Sequence, residues 1–444
     1  MRFVVLLVFF VAQISTAVVW ITYASWSQEA AVYYGVSIDA INGLSVVFMA
    51  AYLPGTVLSA WVYNKFSLRS GLILATFVNS VGAWIRVAPT FGAVMLGQVL
   101  CALVQPFFTN APAKIASRWF PVSSRGLATA VGAMANPVGI GIGQVLPSVF
   151  VSTVNNTLVP TSPAQVLGAS DLAICEAGIA TAAFVLVLAL LRNRPPTPPS
   201  ASQEGVADEA DKAEPFGAVA ARTWRFVVDC FSSRDFAILF LVFGAGLGIF
   251  NAISTLVQQM TSPACSTSDD ASLYGGVLLG VGVCSAIAVG VALDRTHNYR
   301  LGLRVGFGGG AVLLLILTLV IQPGNMNVIA AFFALLGLVV IPMLPCSFEA
   351  AVEATYPVPE DISNGLLMMA GNYAGIALIY IMSAFLNSVD WCAQSASGGF
   401  LYPGSSIVVV VVMALAASLI FLFRGELKRF NVEGGKPLIA EGQQ

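Results

Sequence analysis

Charged side chains are scarce in this sequence: Asp, Glu, Lys and Arg make up 9% of its 444 residues, against 57% hydrophobic. A water-soluble domain carries about 25% charged residues, so this composition excludes a soluble fold and calls for a lipid environment. Histidine is nearly missing. Its one copy, His297, falls in a short polar loop, which leaves no histidine to ligate a metal or haem iron within an apolar segment. The seven cysteines (Cys101, Cys175, Cys230, Cys265, Cys284, Cys346 and Cys392) contain no CxxC pair, which argues against metal and redox motifs. Basic residues stand singly beside apolar runs and form no patch, which argues against nucleic acid as a partner. No nucleophile–base–acid set and no metal-ligand cluster is evident, so an enzyme reading is set aside and no cofactor or metal is expected. Lipidation and retention motifs are likewise unrecognisable.

What the sequence has is long apolar runs. Twelve are readable, at 3–26, 41–63, 70–88, 93–116, 126–150, 171–191, 236–259, 273–293, 301–321, 328–351, 364–386 and 403–423, each near the roughly 20 residues that cross a bilayer as a helix. With these spans, 19 of the 20 Lys and Arg fall on one side and only Arg86 on the other. That bias orients both termini to the cytoplasm. The expectation is an all-α, multi-pass protein of the plasma or an organelle membrane, working as a monomer on a small-molecule substrate. The opening MRFVVLLVFFVAQISTA also has the form of a secretory signal. Apolar character continues through Ile21, however, and cleavage would leave eleven spans, so the segment is read as the first span.

The chain divides into a six-span half at 1–191, a cytoplasmic linker at 192–235, a second half at 236–424 and a tail at 425–444. The linker begins rich in Pro and Ser and turns acidic, a flexible composition. Its end, Pro215 to Phe231, has the pattern of an amphipathic helix at the membrane interface.

An internal repeat relates the halves. Phe120-Pro121-Val122 aligns with Tyr356-Pro357-Val358, and Asn136-Pro137-Val138-Gly139 with Asn372-Tyr373-Ala374-Gly375, at an offset of 236. Parallel repeats of this kind belong to transporters whose halves rock about a central site. Charge reverses between the copies: Lys114, Arg118 and Arg125 in the first, Glu349, Glu353, Glu360 and Asp361 in the second. If these ends approach, opposite charges would pair as an inner gate; the alternative is that each charge caps its own helix in water. Asn64-Lys65 and Asp294-Arg295 occupy corresponding loops, and the glycine at 290 followed by Asp294-Arg295 resembles the loop signature of the major facilitator superfamily.

A central cavity should be lined by spans one, four, seven and ten with their neighbours. Its polar candidates are Trp20, Tyr23, Gln98, Gln105, Asn136, Asn251, Gln258, Asn372 and Tyr373. Trp20 and Tyr23 lie three apart and would share one helix face, packing between helices or facing substrate. Aromatic faces with amides suit a small organic cation or zwitterion. No carboxylate sits mid-span in these helices, which makes facilitated diffusion more natural than proton coupling; Glu176 in span six is read as structural. Small residues in span five (Gly132, Ala135, Gly139, Gly141, Gly143) and span eight (Gly275, Gly276, Gly280, Gly282) are read as packing faces. Asn155-Asn156-Thr157 is a glycosylation candidate on an outer loop. Cys265 and Cys392, both in outer loops, are a disulfide candidate.

Several stretches carry a family resemblance: Gly97-Gln98 through Gln105; Pro112-Ala-Lys114-Ile-Ala-Ser-Arg118-Trp119-Phe120; Asp294-Arg295-Thr296; Phe348-Glu349-Ala-Ala-Val-Glu353-Ala-Thr-Tyr-Pro357; and Ser363-Asn-Gly365. In these the sequence resembles the feline leukaemia virus subgroup C receptor-related branch of the major facilitator superfamily, over nearly all of both halves. The resemblance implies a twelve-helix transporter of choline, ethanolamine or haem, with binding roles for Trp20, Gln105 and Asn372. Asn251 stands where choline-transporting members have tyrosine, and Asn372 where they have glutamine. A proton-coupled metabolite or vitamin transporter, or a receptor that binds without transporting, are the alternatives.

Overall fold

A computed structural model describes residues 2–121, 124–154, 160–193, 195, 216–296, 298–386, 392, 404–425 and 428. Asn155, His297, residues 194 and 196–215 of the linker and most of the tail lie outside these residues, as do the side chains of Asp294, Arg295 and Asp361. Among the described residues, twelve helical segments are long and apolar enough to cross a membrane.

The first six are α1 (Arg2–Ile21), α3 (Ile38–Lys65), α4 (Leu68–Ile85), α5 (Phe91–Thr109), α7 (Arg125–Phe150) and α8 (Ala169–Leu190). Short helices α2 (Ser27–Tyr34) and α6 (Pro112–Trp119) lie between them, and Ser152–Thr153 pairs antiparallel with Val166–Leu167 before α8. Then come α9 (Phe216–Ser232), α10 (Arg234–Thr255), the single turn α11 (Val257–Met260), α12 (Ser268–Thr296), α13 (Tyr299–Val320), α14 (Met326–Val340), α15 (Met343–Thr355), α16 (Glu360–Leu386) and α17 (Gly404–Leu419). The tenth span is α14 and α15 together.

Proline and capping residues set the boundaries. The apolar run expected over 93–116 breaks at Asn110–Ala111: Pro112 lacks the N–H that would carry the ladder past Phe108, and its fixed φ is preset for the first turn of a new helix, while Pro106 sits inside α5. The corresponding run over 328–351 breaks at Ile341–Pro342. Ser37 accepts from Ala40 N to start α3, and Ser233 accepts from Phe236 N to start α10. Gly35, at φ 65°, ends α2 in the left-handed conformation that only glycine adopts cheaply.

Small residues then bring the helices together, as the sequence suggests. A methyl group at Gly143 would lie 2.9 Å from Val18 O, so α7 lies directly on α1. In the second half a methyl at Gly248 would lie 2.9 Å from the Ala374 side chain, placing α10 on α16. Spans one and five, and spans seven and eleven, are therefore equivalent pairs. Between the halves, a methyl at Gly275 of α12 would stand 2.8 Å from the Gln144 side chain of α7, and one at Gly375 of α16 would stand 3.1 Å from Met49 Sδ of α3. Without a hydrophobic drive between helices in lipid, such close approach is the main source of association.

Candidate binding cavity

Between the two halves lies a cavity. Trp20 of α1, Met49 and Tyr52 of α3, Gln105 of α5 and Asn136 of α7 line it from one half. Phe243, Phe250 and Asn251 of α10, Met343 of α15, Met368 and Asn372 of α16 and Met413 of α17 line it from the other. No charged side chain, histidine or cysteine is among the described residues that line it. Thr109 at the end of α5 and Ile341 and Met343 at the break between α14 and α15 line this space, so both helix breaks fall beside it.

The polar groups are few and placed. Trp20 is buried, and its indole Nε1 donates to Ser45 O at 3.2 Å, fixing the ring by its polar edge. Asn251 Nδ2 donates to Asn372 Oδ1 at 3.4 Å, joining spans seven and eleven within the cavity wall. Asn136 Oδ1, on the equivalent helix of the other half, is a buried acceptor without a partner. An aromatic face, amide groups and apolar walls together can hold a compact solute with one polar and one weakly hydrated end.

Four of the five binding candidates thus meet: Trp20, Gln105, Asn251 and Asn372. Tyr23 is a correction. The shared-face argument requires an unbroken helix from Trp20, but α1 ends at Ile21 and the chain turns. Tyr23 instead stacks on Trp26, ring centroids 5.4 Å apart, with the Arg86 guanidinium 5.2 Å from its own centroid. Arg86 Nη1 in turn lies 2.9 Å from Glu176 Oε2, both side chains buried. The lone cation on the unexpected side of the topology is therefore half of an internal ion pair. Gln98, also a cavity candidate, donates through Nε2 to Val19 O and Leu44 O at 3.2 Å each and ties spans one, two and four together. Tyr373 is exposed and does not line the cavity.

At the Glu29 end of the bundle the halves are joined by hydrogen-bonded side chains. Gln258 Nε2 donates to Glu29 Oε2 at 2.7 Å, while Gln258 Oε1 accepts from Ser27 Oγ at 3.1 Å and Gln28 N at 2.9 Å. Gln259 Nε2 donates to Asn42 Oδ1 at 2.7 Å, and Ser383 Oγ donates to Asp39. Burial raises the Glu29 carboxyl above the usual carboxylate range, although the Gln258 bond works the other way. Sequence reading places Gln258 in the cavity and misses this seam. The available signal is the Gln258-Gln259 dipeptide interrupting an apolar run, opposite the polar Ser27-Gln28-Glu29. Cys265 and Cys392 are joined by a disulfide, at the loop that follows Ser262 of the same seam.

The charged candidates at the other end sit on α6, α7 and α15. Lys114 Nζ lies 5.2 Å from the Tyr63 ring centroid, and Arg125 Nε donates to Phe120 O at 3.2 Å. Arg118 is in the last turn of α6; Glu349 is exposed and Glu353 buried on α15.

Twelve spans in two equivalent halves, packed about an uncharged cavity and sealed by a seam at one end, define a secondary-transporter architecture. Residues 5–379 match the model of the Major Facilitator Superfamily, and the chain belongs to that superfamily. It is 30% identical over 449 residues to the choline/ethanolamine transporter FLVCR1 of Mus terricolor, covering 98% of this chain and 77% of that protein. It is 28% identical over 434 residues to the human choline/ethanolamine transporter FLVCR2, covering 96% and 78%. The structure of a bacterial homologue of the human lysosomal transporter Spinster superposes with a TM-score of 0.68 at 16% identity, covering 96% of this chain and 98% of that one. The chain is an integral, multi-pass membrane transporter.

Proposed function

We propose that this chain is an alternating-access, uniporter-like carrier of a small amino alcohol such as ethanolamine or choline, and not an enzyme. One observation carries the reading: the cavity at the junction of the halves joins the Trp20 face to the amides of Gln105, Asn136, Asn251 and Asn372 without a charged side chain. A cation in such a cavity rests on the aromatic face and on amide oxygens, worth about 0.5–2 kcal/mol per aromatic contact. The relatives named for choline and ethanolamine support that substrate class. The lining residues offer no histidine or cysteine for iron, which favours a small organic solute over haem.

In this reading both termini are cytoplasmic, residues 1–191 and 236–424 are the moving halves, 192–235 is their strap, and the protein works as a monomer. The Glu29 end is the outer end, consistent with a disulfide beside it, since disulfides persist on oxidising faces. The seam then closes the outer gate, and Lys114, Arg118 and Arg125 meet Glu349, Glu353 and Asp361 when the inner gate closes, with Asp294 and Arg295 in the adjoining loop. Thermal-shift measurements test the substrate class. Ethanolamine or choline should raise the melting temperature of the purified protein, since ligand at a hundred times its Kd adds about 2.7 kcal/mol. The Trp20→Ala variant should lose most of the shift. No shift with either amine, at concentrations that solubility allows, would contradict the reading.

A further inference from the structure

Helix α9 presents three distinct stripes. Phe226 and Cys230, four apart, turn inward: Cys230 is fully buried and Phe226 packs against the core. Arg222, Arg225 and Asp229 are polar and exposed along a second stripe. Trp224, Val228 and Phe231 form a third, at the i, i+4, i+7 spacing of one helix face. That third stripe is apolar yet open, with Trp224 68%, Val228 50% and Phe231 44% exposed.

A helix resting on a protein in water needs two faces, one apolar and one polar. A helix inside a bundle needs only an apolar one. Three stripes, one against protein, one apolar and uncovered, one charged, fit a helix lying where protein, hydrocarbon and water meet. The uncovered stripe also continues the lipid-facing belt of span seven. Phe231 packs edge-on against Phe240 at 5.0 Å, and the next residue, Leu241, is 60% exposed.

We infer that α9 is a lipid-sensing helix: Trp224, Val228 and Phe231 enter the acyl boundary of the membrane, and Arg222 and Arg225 engage the phosphates of anionic lipids. The juxtaposition matters because α9 packs on α10 and α16, the two helices that carry Asn251 and Asn372 into the cavity. Anionic lipid would hold α9, and through it the start of span seven, against the bundle. Asp235 already pins that start from the other side, accepting from Arg424 N at 3.2 Å and Gly425 N at 2.9 Å. Asp229 offsets part of the positive charge, which favours a singly charged phosphatidylglycerol-type headgroup over a polyanionic one.

The test uses the full chain in vesicles of phosphatidylcholine, with or without phosphatidylglycerol. Acyl-chain-brominated phosphatidylcholine should quench a component of tryptophan fluorescence that is missing from the Trp224→Phe variant. Lipid-exchange competition should show a preference for phosphatidylglycerol that falls roughly fivefold in Arg225→Gln and further in the Arg222→Gln/Arg225→Gln double variant. Melting of the Arg225→Gln variant in pure phosphatidylcholine should be unchanged. A Trp224 component untouched by bromine, or an undiminished phosphatidylglycerol preference in the double variant, would overturn the inference.

Discussion

Gln258 Nε2 donates to Glu29 Oε2 at 2.7 Å, binding the two halves across a seam whose one end is a buried carboxyl. Burial holds that carboxyl above its ordinary range, with Asp269 of α12 adding to the rise and bonds from Gln258 and Ser268 opposing it. The sign follows from which state binds the proton more tightly. The closed, dry seam does; an open, hydrated seam releases it near the usual value of about 4.3. Acidification through the window between that value and the raised one therefore favours closure, and the effect vanishes above the window. The labelling rate of a cysteine introduced at Ser262, taken relative to the same chain unfolded at each pH so that the falling thiolate fraction cancels, should drop as pH falls through this window. In Glu29→Gln that ratio should be low throughout, without pH dependence. A ratio that is flat with pH in the chain that keeps Glu29 would remove Glu29 from the gate.

The Arg86–Glu176 pair makes a different prediction, about stability. Both groups are buried, so deleting either leaves an uncompensated charge and should cost about 3–5 kcal/mol, as in Arg86→Met or Glu176→Leu. Replacing both at once should be close to neutral, because two desolvation costs disappear with the attraction. Unfolding of the purified variants gives the comparison. Additive losses in the double variant would mean that the pair acts through other partners, such as the Tyr23 ring.

Close packing between α7 and α12 can be probed by compensation. Gly275→Ala puts a methyl against the Gln144 side chain and should cost about 1–3 kcal/mol. Shortening the neighbour in Gly275→Ala/Gln144→Ala should recover part of that loss. Recovery will be incomplete, since Gln144 Nε2 also donates to Ser254 O at 2.8 Å across the halves. No loss in the first variant would show that the helices can separate at no cost.

The span architecture was legible because lipid imposes a simple rule: a run of about 20 apolar residues must be a helix, and charge must stay at its ends. The repeat placing Asn136 opposite Asn372 was legible for a related reason, since equivalent helices keep equivalent residues at the cavity. Tyr23 was misread because α1 stops at Ile21 with no proline or glycine to mark the end; tertiary contacts with Trp26 and Arg86 take over there. The seam was invisible for a deeper reason. Glutamine and serine at helix ends look alike whether they face water or one another, and only the docking of the halves decides.

Reversal of Glu353 tests the proposed inner gate. Glu353→Arg should bias the transporter toward the state open to the cytoplasm, and adding Arg118→Glu should restore the balance. Cytoplasmic accessibility of an introduced cysteine near Thr109 reads the bias. Unchanged accessibility in both variants would remove the gate.

Uptake of labelled ethanolamine and choline into proteoliposomes bears most directly on the central claim. Saturable uptake down the substrate gradient is expected, needing no imposed proton gradient, with apparent affinity weakened roughly 2–30-fold by Trp20→Ala. Uptake no greater than in empty liposomes, or identical in the Trp20→Ala variant, would contradict the account.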